Sequence, residues 1–316
     1  MRAYAPPMDQ TPSGITQVLI AGAGTMGIQI ALQCAAHGVE VRLHDTQQEA
    51  LDRAMDAVRR RAPELVAAGV LAEGQVDAAI ARIGADAGLS SAADADLVIE
   101  CVPEDRMLKR HVFSDLNERC PGTTIFATNT STFVPSMLAD ATGRPDRFAA
   151  LHFHSTVWIS NVADVMGHPG TSPETLATLE AFARAIGQVP IVLEREHAGY
   201  VFNAMLSAVN REALTLVANR FSTVEDVDRS WMGVMKMPIG PFGILDGVGL
   251  DTALHITQFW ANALNDPQLR ANAELLRTYV DRGDLGVKTG RGFYEYPDPA
   301  FAAPGFVEGA PRSGCA

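Results

Sequence analysis

The sequence predicts an α/β fold, in which a doubly wound, mostly parallel sheet is followed by an all-helical C-terminal domain. Short apolar runs alternate with helical patterns between Val18 and Leu193, as in the βαβ units that build parallel sheets. A glycine-rich turn follows the first apolar run. After Glu194 only helical patterns remain, which indicates a second domain of a different class.

The glycine-rich turn is the most specific pattern in the chain. It lies between an apolar strand and an Ala-rich helix, and the next strand ends at Asp45. In a dinucleotide site the three glycines allow a tight turn, a close approach of backbone amides to a pyrophosphate, and close helix packing. Asp45 stands near the spacing of an acid that binds a ribose 2′-hydroxyl and repels a 2′-phosphate. The pattern predicts a Rossmann-type site for NAD rather than NADP; the alternative is a glycine-rich turn without a ligand. The residues assigned to this site are Gly22, Gly24, Thr25, Met26, Gly27 and Asp45.

The other elements of the first domain follow in order. Helices are predicted at 46–68, 73–82, 104–119 and 173–187, and strands at 82–87, 96–103, 124–129, 148–153, 162–166 and 189–193. Ligands of such sheets bind beyond the C-terminal ends of the strands. We therefore expect the glycine turn, Asp45 and the segments 102–104 and 129–131 to lie along one edge.

The predicted domains are residues 14–194 and 195–297, with a loosely ordered tail over 298–316 that is rich in Pro, Gly and Ala. Helices are expected at 198–219, 223–233, 249–264 and 268–282, and five residues punctuate the middle of this domain: Gly240, Pro241, Gly243, Gly247 and Gly249.

Composition excludes several classes of protein. The formal charge is −12, so no broad basic face for nucleic acid is expected. The four cysteines have neither metal-site spacing nor a disulfide framework. No apolar run approaches the roughly 18 residues that span a membrane, and the N-terminal residues lack the apolar core of a signal peptide. We expect a soluble cytoplasmic protein that holds no metal.

Taken together, the motifs resemble the 3-hydroxyacyl-CoA dehydrogenase family from about Val18 to Tyr296. Several blocks in the right order are far more specific than any one of them. Besides the glycine turn and Asp45, the matching blocks are Val98-Ile99-Glu100-Cys101-Val102-Pro103-Glu104, Asn129-Thr130-Ser131, Leu151-His152-Phe153, Gly240-Pro241-Phe242 and Lys288-Thr289-Gly290-Arg291-Gly292-Phe293-Tyr294.

The resemblance implies a set of site residues. His152 matches the family's catalytic base, and Asp164, twelve residues later, stands where the family has a glutamate that orients this base. Ser131 and Asn203 match the residues that polarise the reacting oxygen. Glu104 and Lys109 match residues on the nicotinamide-ribose side, and Asn129 is placed with the cofactor. By resemblance the helical domain also forms a homodimer.

Each of these residues has a structural alternative. A histidine at a strand end can be a core residue, and Asp164 can be a turn carboxylate. Ser131 can be a helix N-cap, and Asn203 can be an ordinary polar helix residue. Two other histidines, His154 and His168, are interpreted as structural.

Two departures from the family put the substrate in question. The family usually continues His-Phe with Phe-Asn-Pro, whereas this chain has His154-Ser155-Thr156 followed by Val157-Trp158. Trp158 either lines a substrate site or packs at the domain seam. Arginines replace the family's lysine-rich helix and either bind phosphates of coenzyme A or form a solvated face. They are Arg53, Arg59, Arg60 and Arg61.

The expected function is NAD-dependent oxidation of a short-chain 3-hydroxyacyl-CoA, such as 3-hydroxybutyryl-CoA, in fatty acid metabolism. The first alternative is the same chemistry on a free hydroxy acid, as in relatives that act on gulonate or carnitine. The second is a protein that binds NAD without catalysis.

Overall fold

The computed structural model describes residues 13–309, so Cys315 and the last part of the predicted tail lie outside it. The described chain divides into two compact units, one that ends at Val201 and one that begins at Phe202. The boundary expected from the sequence, after residue 194, lies a few residues before this division.

The first unit is built on one eight-stranded sheet with the strand order β3-β2-β1-β4-β5-β6-β7-β8. Every neighbouring pair is parallel except β6 and β7, which are antiparallel. The predicted fold class is therefore confirmed. The strands are β1 (Gln17–Ala21), β2 (Glu40–His44), β3 (Ile83–Ala85), β4 (Leu97–Glu100), β5 (Ile125–Thr128), β6 (Phe148–Phe153), β7 (Val162–Met166) and β8 (Val189–Leu193). The helices are α1 (Thr25–Ala36), α2 (Gln48–Ala67), α3 (Val76–Ala81), α4 (Arg106–Asn117) and α5 (Pro173–Ala185).

The sheet is covered on both faces, and β1 shows how the sequence achieves this. Its side chains alternate between faces, as the two-residue period of a strand requires. Val18 and Ile20 join the core formed with α1 and α2, whereas Leu19 joins the core formed with Phe113 of α4. Burial on both faces explains why the strand is apolar at successive positions.

The C-terminal ends of β1, β2, β4, β5 and β6 lie at one edge of the sheet, because these strands are parallel to their neighbours in the order β2-β1-β4-β5-β6. This edge carries the glycine turn, Asp45, Glu104 and Ser131, as the sequence predicts, and it also carries His152. The antiparallel β7 runs back from the same edge and sets Asp164 directly opposite His152.

The second unit is helical and contains α6 (Phe202–Ala218), α7 (Val224–Met235), α8 (Pro241–Val248), α9 (Leu250–Ala263) and α10 (Pro267–Val280). The glycine pattern gave no indication of α8. The N-terminus of α8 is held by the buried Asp228 of α7, whose carboxylate accepts hydrogen bonds from the backbone N–H groups of Phe242 (2.8 Å) and Gly243 (3.0 Å). A Cβ at Gly240 would lie 2.5 Å from the Asp228 carboxyl carbon, so the glycine is needed for this close approach.

A second buried carboxylate, Asp246, organises the family block near Tyr294. It accepts N–H bonds from Phe293 (2.8 Å) and Tyr294 (2.9 Å) and the hydroxyl of Tyr296 (3.0 Å). The chain after Pro297 differs from the loosely ordered tail that the sequence predicts, at least as far as Gly309. Its Phe301 packs on Tyr294 with ring centroids 5.0 Å apart, within the core of this unit.

Among residues 13–309, no helix combines the length and the apolar composition needed to cross a membrane.

Candidate active site

The glycine turn has the geometry of a phosphate cradle. Gly22 has a φ of +117°, and a Cβ there would lie 2.5 Å from the carbonyl oxygen of Cys101, the residue that follows β4. A Cβ on Gly27 would lie 2.0 Å from the carbonyl oxygen of Gly22, so this glycine lets α1 pack against the turn. Gly24 is different, because a Cβ there would meet no atom of the described chain within 4 Å. The backbone at Gly24 is therefore open to close approach, as the glycine motif requires of a turn that binds a pyrophosphate.

The residues around this cradle also fit NAD. The N-cap of α1 is Gly24, and no side chain of the described residues caps this helix end, so its first N–H groups and positive dipole end can face an anion. Asp45 accepts the N–H of Ala23 (3.1 Å) with one carboxylate oxygen and that of Gln47 (3.1 Å) with the other. These bonds fix the carboxylate at the end of β2. Thr25 is exposed and Met26 half-buried at the start of α1.

Glu104 and Lys109 form a buried ionic cluster with Glu100. The Lys109 side chain is 1% exposed, and its ammonium lies 2.6 Å from Glu100, 3.1 Å from the carbonyl oxygen of Val102 and 3.1 Å from Glu104. An ammonium has three donors, so these three acceptors engage all of them. The Lys109 ammonium is thus fully engaged within the cluster and helps to hold the Glu104 carboxylate in place.

Glu104 is the exposed member of this cluster. Its carboxylate accepts hydrogen bonds from the Thr130 hydroxyl and, at 3.0 Å, from the N–H of Thr132. Partial burial opposes ionisation, but Lys109 and these hydrogen bonds hold the pKa of Glu104 below its usual range. Burial raises the pKa of Glu100, against the opposing effect of Lys109. Sequence reasoning assigned no role to Glu100 beyond its place in the motif.

His152 is held between two hydrogen-bonding partners. Its Nδ1 lies 3.0 Å from Asp164 Oδ2, and its Nε2 lies 3.0 Å from Ser131 Oγ. A carboxylate can only accept, so Nδ1 carries the proton and Nε2 of the neutral ring accepts the Ser131 hydroxyl. The contact with Asp164 is direct, although aspartate is one methylene shorter than the family's glutamate. The adjacent antiparallel strands β6 and β7 bring the two residues close enough.

The imidazole of His152 is buried as well as oriented. It is 3% exposed, and the ring of Tyr200 stacks on it with centroids 4.4 Å apart and an angle of 6° between the planes. Tyr200 is fixed by donating its hydroxyl to the carbonyl oxygen of Thr130 (2.7 Å). The sequence offered no signal for this stacking, although Tyr200 stands beside the segment matched to the family.

The charges in the cluster favour a neutral histidine and an ionised aspartate. Burial lowers the pKa of His152, His154 lowers it further, and the hydrogen bond to Asp164 opposes both effects. Burial works against ionisation of Asp164, but the hydrogen bonds from His152 and His154 hold the pKa of this carboxyl below its usual range. A neutral imidazole with a bonded carboxylate can accept a proton, which is the task of a general base.

His154, which the sequence analysis interprets as structural, lies beside the pair formed by His152 and Asp164. Its Nε2 lies 3.1 Å from Asp164 Oδ2, the same oxygen that binds His152. The alternation of side chains along β6 puts residues 152 and 154 on one face, but the sequence alone does not place Asp164 opposite them. His168 lies elsewhere and contacts the carbonyl oxygen of Pro145 (2.9 Å).

Asn129 and Asn203 are the remaining predicted site residues. Asn129 uses its side-chain oxygen to accept the N–H of Phe153 (2.8 Å), which ties β6 to the end of β5. Asn203 lies in the first turn of α6, in the second unit, and its catalytic role stays a prediction.

The structure gives Trp158 a third role that neither sequence interpretation included. It is 5% exposed within the core of the first unit, and the guanidinium of Arg61 lies 4.9 Å from its ring centroid. Arg61 also pairs with Glu64 (3.1 Å), and Arg59 pairs with Asp56 (3.2 Å). Arg59 and Arg61 therefore already form ion pairs within α2. This favours the interpretation that these two arginines belong to a solvated helix face.

A doubly wound sheet with this glycine turn, an uncapped α1 and an acid after β2 defines a class of protein: the NAD-dependent oxidoreductases.

Family models match nearly the whole described chain. Residues 17–197 match the NAD-binding domain of 3-hydroxyacyl-CoA dehydrogenase, and residues 199–296 match the C-terminal domain of the same enzyme. The chain belongs to the 3-hydroxyacyl-CoA dehydrogenase family and is an NAD-dependent oxidoreductase.

Individual relatives agree with this assignment. A probable 3-hydroxybutyryl-CoA dehydrogenase of Bacillus subtilis is 34% identical over 284 residues, which cover 90% of this chain and 98% of that protein. A solved (S)-3-hydroxybutyryl-CoA dehydrogenase from Ralstonia eutropha is 32% identical with a TM-score of 0.82, over 90% of this chain and 100% of that one. A solved diketoreductase that acts on dicarbonyl compounds is 43% identical with a TM-score of 0.83, over 90% and 99%.

Proposed function

We propose that the chain oxidises the 3-hydroxyl group of a short-chain 3-hydroxyacyl-CoA to a ketone, with His152 as the general base. One observation carries this proposal: His152 is buried and oriented so that only Nε2 remains to act on a substrate, with the Ser131 hydroxyl beside it. Such a substrate would place the enzyme in fatty acid metabolism.

In this mechanism the substrate hydroxyl lies against His152 Nε2 and Ser131 Oγ. His152 takes the hydroxyl proton and becomes an imidazolium, while the electrons of the O–H bond form the carbonyl. NAD, when bound, would supply the acceptor for the hydride that leaves the carbinol carbon. Asp164 stabilises the positive charge on His152, and the Ser131 hydroxyl donates to the oxygen on which negative charge develops.

The cofactor is proposed to lie along the residues from Gly22 to Gly27, with its adenosine ribose at Asp45. A carboxylate at this position would accept a hydrogen bond from the ribose 2′-hydroxyl and would repel a 2′-phosphate, which supports NAD over NADP. Glu104, held by Lys109, is proposed to face the nicotinamide ribose.

A second candidate substrate is a free dicarbonyl or hydroxy compound without coenzyme A. The 43% identity to a diketoreductase favours it, and so does the engagement of Arg59 and Arg61 by their own helix and by Trp158. The chemistry at His152 is the same in both directions, because reduction of a ketone returns the proton from the imidazolium.

A panel of substrates separates the two candidates. NADH formation is measured with 3-hydroxybutyryl-CoA, free 3-hydroxybutyrate, gulonate and carnitine, and NADH consumption with a free dicarbonyl compound. Turnover confined to the thioester supports the first candidate. Turnover confined to the free compounds contradicts it and supports the second, and no turnover on any substrate contradicts both.

We also propose that the chain forms a homodimer through its helical unit. Helices α6, α7 and α9 expose large apolar side chains, an arrangement that in soluble proteins marks an interaction surface. They include Met205 (58% exposed), Val234 (77%), Met235 (55%), Ile256 (46%) and Phe259 (53%). Light scattering coupled to size exclusion tests this, and a monomer at micromolar concentration contradicts it.

A further inference from the structure

Two histidines donate to one oxygen of Asp164. His152 Nδ1 lies 3.0 Å and His154 Nε2 lies 3.1 Å from Asp164 Oδ2. The other carboxylate oxygen, Oδ1, is buried and has no hydrogen-bond partner among residues 13–309. The two imidazole rings stand nearly perpendicular, with centroids 4.9 Å apart and an interplanar angle of 81°. The hydrogen bonding of this carboxylate is therefore concentrated on the oxygen that faces the base.

The arrangement assigns different roles to the two histidines. Only His152 reaches Ser131, so only His152 can share a substrate oxygen with that hydroxyl. His154 is 14% exposed and meets the site through Asp164. Because the carboxylate accepts from both rings, Nε2 of His154 must carry a proton. His154 is therefore a donor to the carboxylate and not a second base.

We propose that His154 is a positioning residue for the oxidation: by donating to Asp164 Oδ2, it fixes the short aspartate against His152. A consequence of this shared oxygen is that His152 is a weaker base than it would be with Asp164 alone. The proposal rests on the proposed function of His152. It also connects two departures from the family pattern, since the shorter acid at position 164 and the histidine in the usual place of phenylalanine at position 154 contact each other.

The physical reason is that a carboxylate oxygen shared by two donors gives less negative charge to each of them. Separately from this sharing, charge repulsion from His154 lowers the pKa of His152, in the same direction as burial. The other groups that face His152 are Asp164 and Glu104, whose charges raise its pKa, and the stacked Tyr200. Burial raises the pKa of the Tyr200 hydroxyl, so Tyr200 contributes no charge.

The test compares His154→Phe with His154→Gln, because phenylalanine removes the donor and glutamine can place an amide N–H near the position of Nε2. The pH dependence of kcat/KM for alcohol oxidation is measured for both, together with NAD affinity and melting temperature. We expect His154→Phe to lose about tenfold in kcat, the size of one hydrogen bond to a charged group. We also expect its activity midpoint to move to higher pH, with NAD affinity unchanged.

His154→Gln should recover most of the lost kcat and return the midpoint toward that of the wild type. His111→Phe is the matched control, since His111 is an exposed histidine on α4 that pairs with Asp115, and it should behave as wild type. A wild-type kcat and midpoint in His154→Phe would overturn the proposal. So would equal losses in the Phe and Gln variants accompanied by lower melting temperatures, because that result indicates a packing role. Normal turnover of His152→Gln would instead overturn the proposed function itself.

Discussion

Gly24 and Gly27 are expected to serve different purposes: Gly24 leaves space for the cofactor, and Gly27 lets the helix pack against the turn. Both stand in the same motif, but a Cβ on Gly24 would meet no described atom within 4 Å, whereas a Cβ on Gly27 would lie 2.0 Å from a backbone oxygen. We therefore expect Gly24→Ala to fold normally and to lose NAD affinity. Gly27→Ala should lose stability, and its NAD affinity should fall as a consequence.

The surroundings of Gly24 set the expected changes in stability and in NAD affinity. Gly24 has a φ of −80°, which alanine adopts readily, so Gly24→Ala should change stability by no more than about 1 kcal/mol, and in the stabilising direction. Its methyl group would occupy the space proposed for the pyrophosphate. Losing one hydrogen bond to a charged group costs about 1.5–3 kcal/mol, which is roughly a tenfold to hundredfold weaker affinity for NAD.

Gly27→Ala meets a backbone atom that no rotamer change can move. Overpacking of this kind costs about 1–3 kcal/mol, and each kcal/mol lowers the melting temperature of a domain of this size by about 2–4 °C. The gain in helix propensity of alanine over glycine, about 1 kcal/mol, offsets only part of this cost.

Calorimetric titration with NAD and thermal melting without NAD measure the two effects separately. Gly88→Ala is a suitable control, because its nearest contact would be 3.9 Å away, from the carboxylate of Asp86. Wild-type NAD affinity in Gly24→Ala would refute the assignment of this space to the cofactor. A melting temperature of Gly24→Ala below that of Gly27→Ala would refute the assignment of the steric role to Gly27.

Three further variants probe other parts of the molecule. Asp164→Asn should lower kcat by about 10²–10⁴, the usual contribution of general base catalysis, with little change in NAD affinity; equal turnover would exclude the role of Asp164. Asp45→Ser should reduce the preference for NAD over NADP, measured as the ratio of kcat/KM values, and an unchanged ratio would count against this residue. Asp246→Ala leaves one buried and two partly buried donors without their acceptor, and an unsatisfied buried donor costs about 1–3 kcal/mol, so its urea midpoint should drop; a midpoint near that of the wild type would contradict the role of this carboxylate.

The fold was predictable because its signals are local. Apolar runs, helical periods and the glycine turn each span a few residues, and the strands 148–153, 162–166 and 189–193 agree with the sequence prediction. The helix α8 was missed because its N-terminus is held by Asp228, a residue of a different helix. No local pattern within the glycine-rich segment reveals that contact.

The site was predictable only in part, for a related reason. The resemblance indicated His152, Asp164 and Ser131, and the structure brings these three together. It could not indicate His154, since the contact with Asp164 depends on the antiparallel register of β6 and β7. The resemblance placed Lys109 on the nicotinamide-ribose side, but it gave no sign of the ion pair between Lys109 and Glu100, which comes from β4.

The central claim is that His152 is the base for NAD-dependent oxidation of a 3-hydroxyacyl group. The most direct measurement is the rate of NADH formation from 3-hydroxybutyryl-CoA by the wild type and by His152→Gln, with NAD affinity determined for both. We expect wild-type activity that falls with decreasing pH through a midpoint below the ordinary histidine value, because burial lowers the pKa of His152 and only the neutral ring accepts a proton. We expect His152→Gln to bind NAD normally and to lose about 10²–10⁴ in kcat. Wild-type turnover by His152→Gln would contradict the claim.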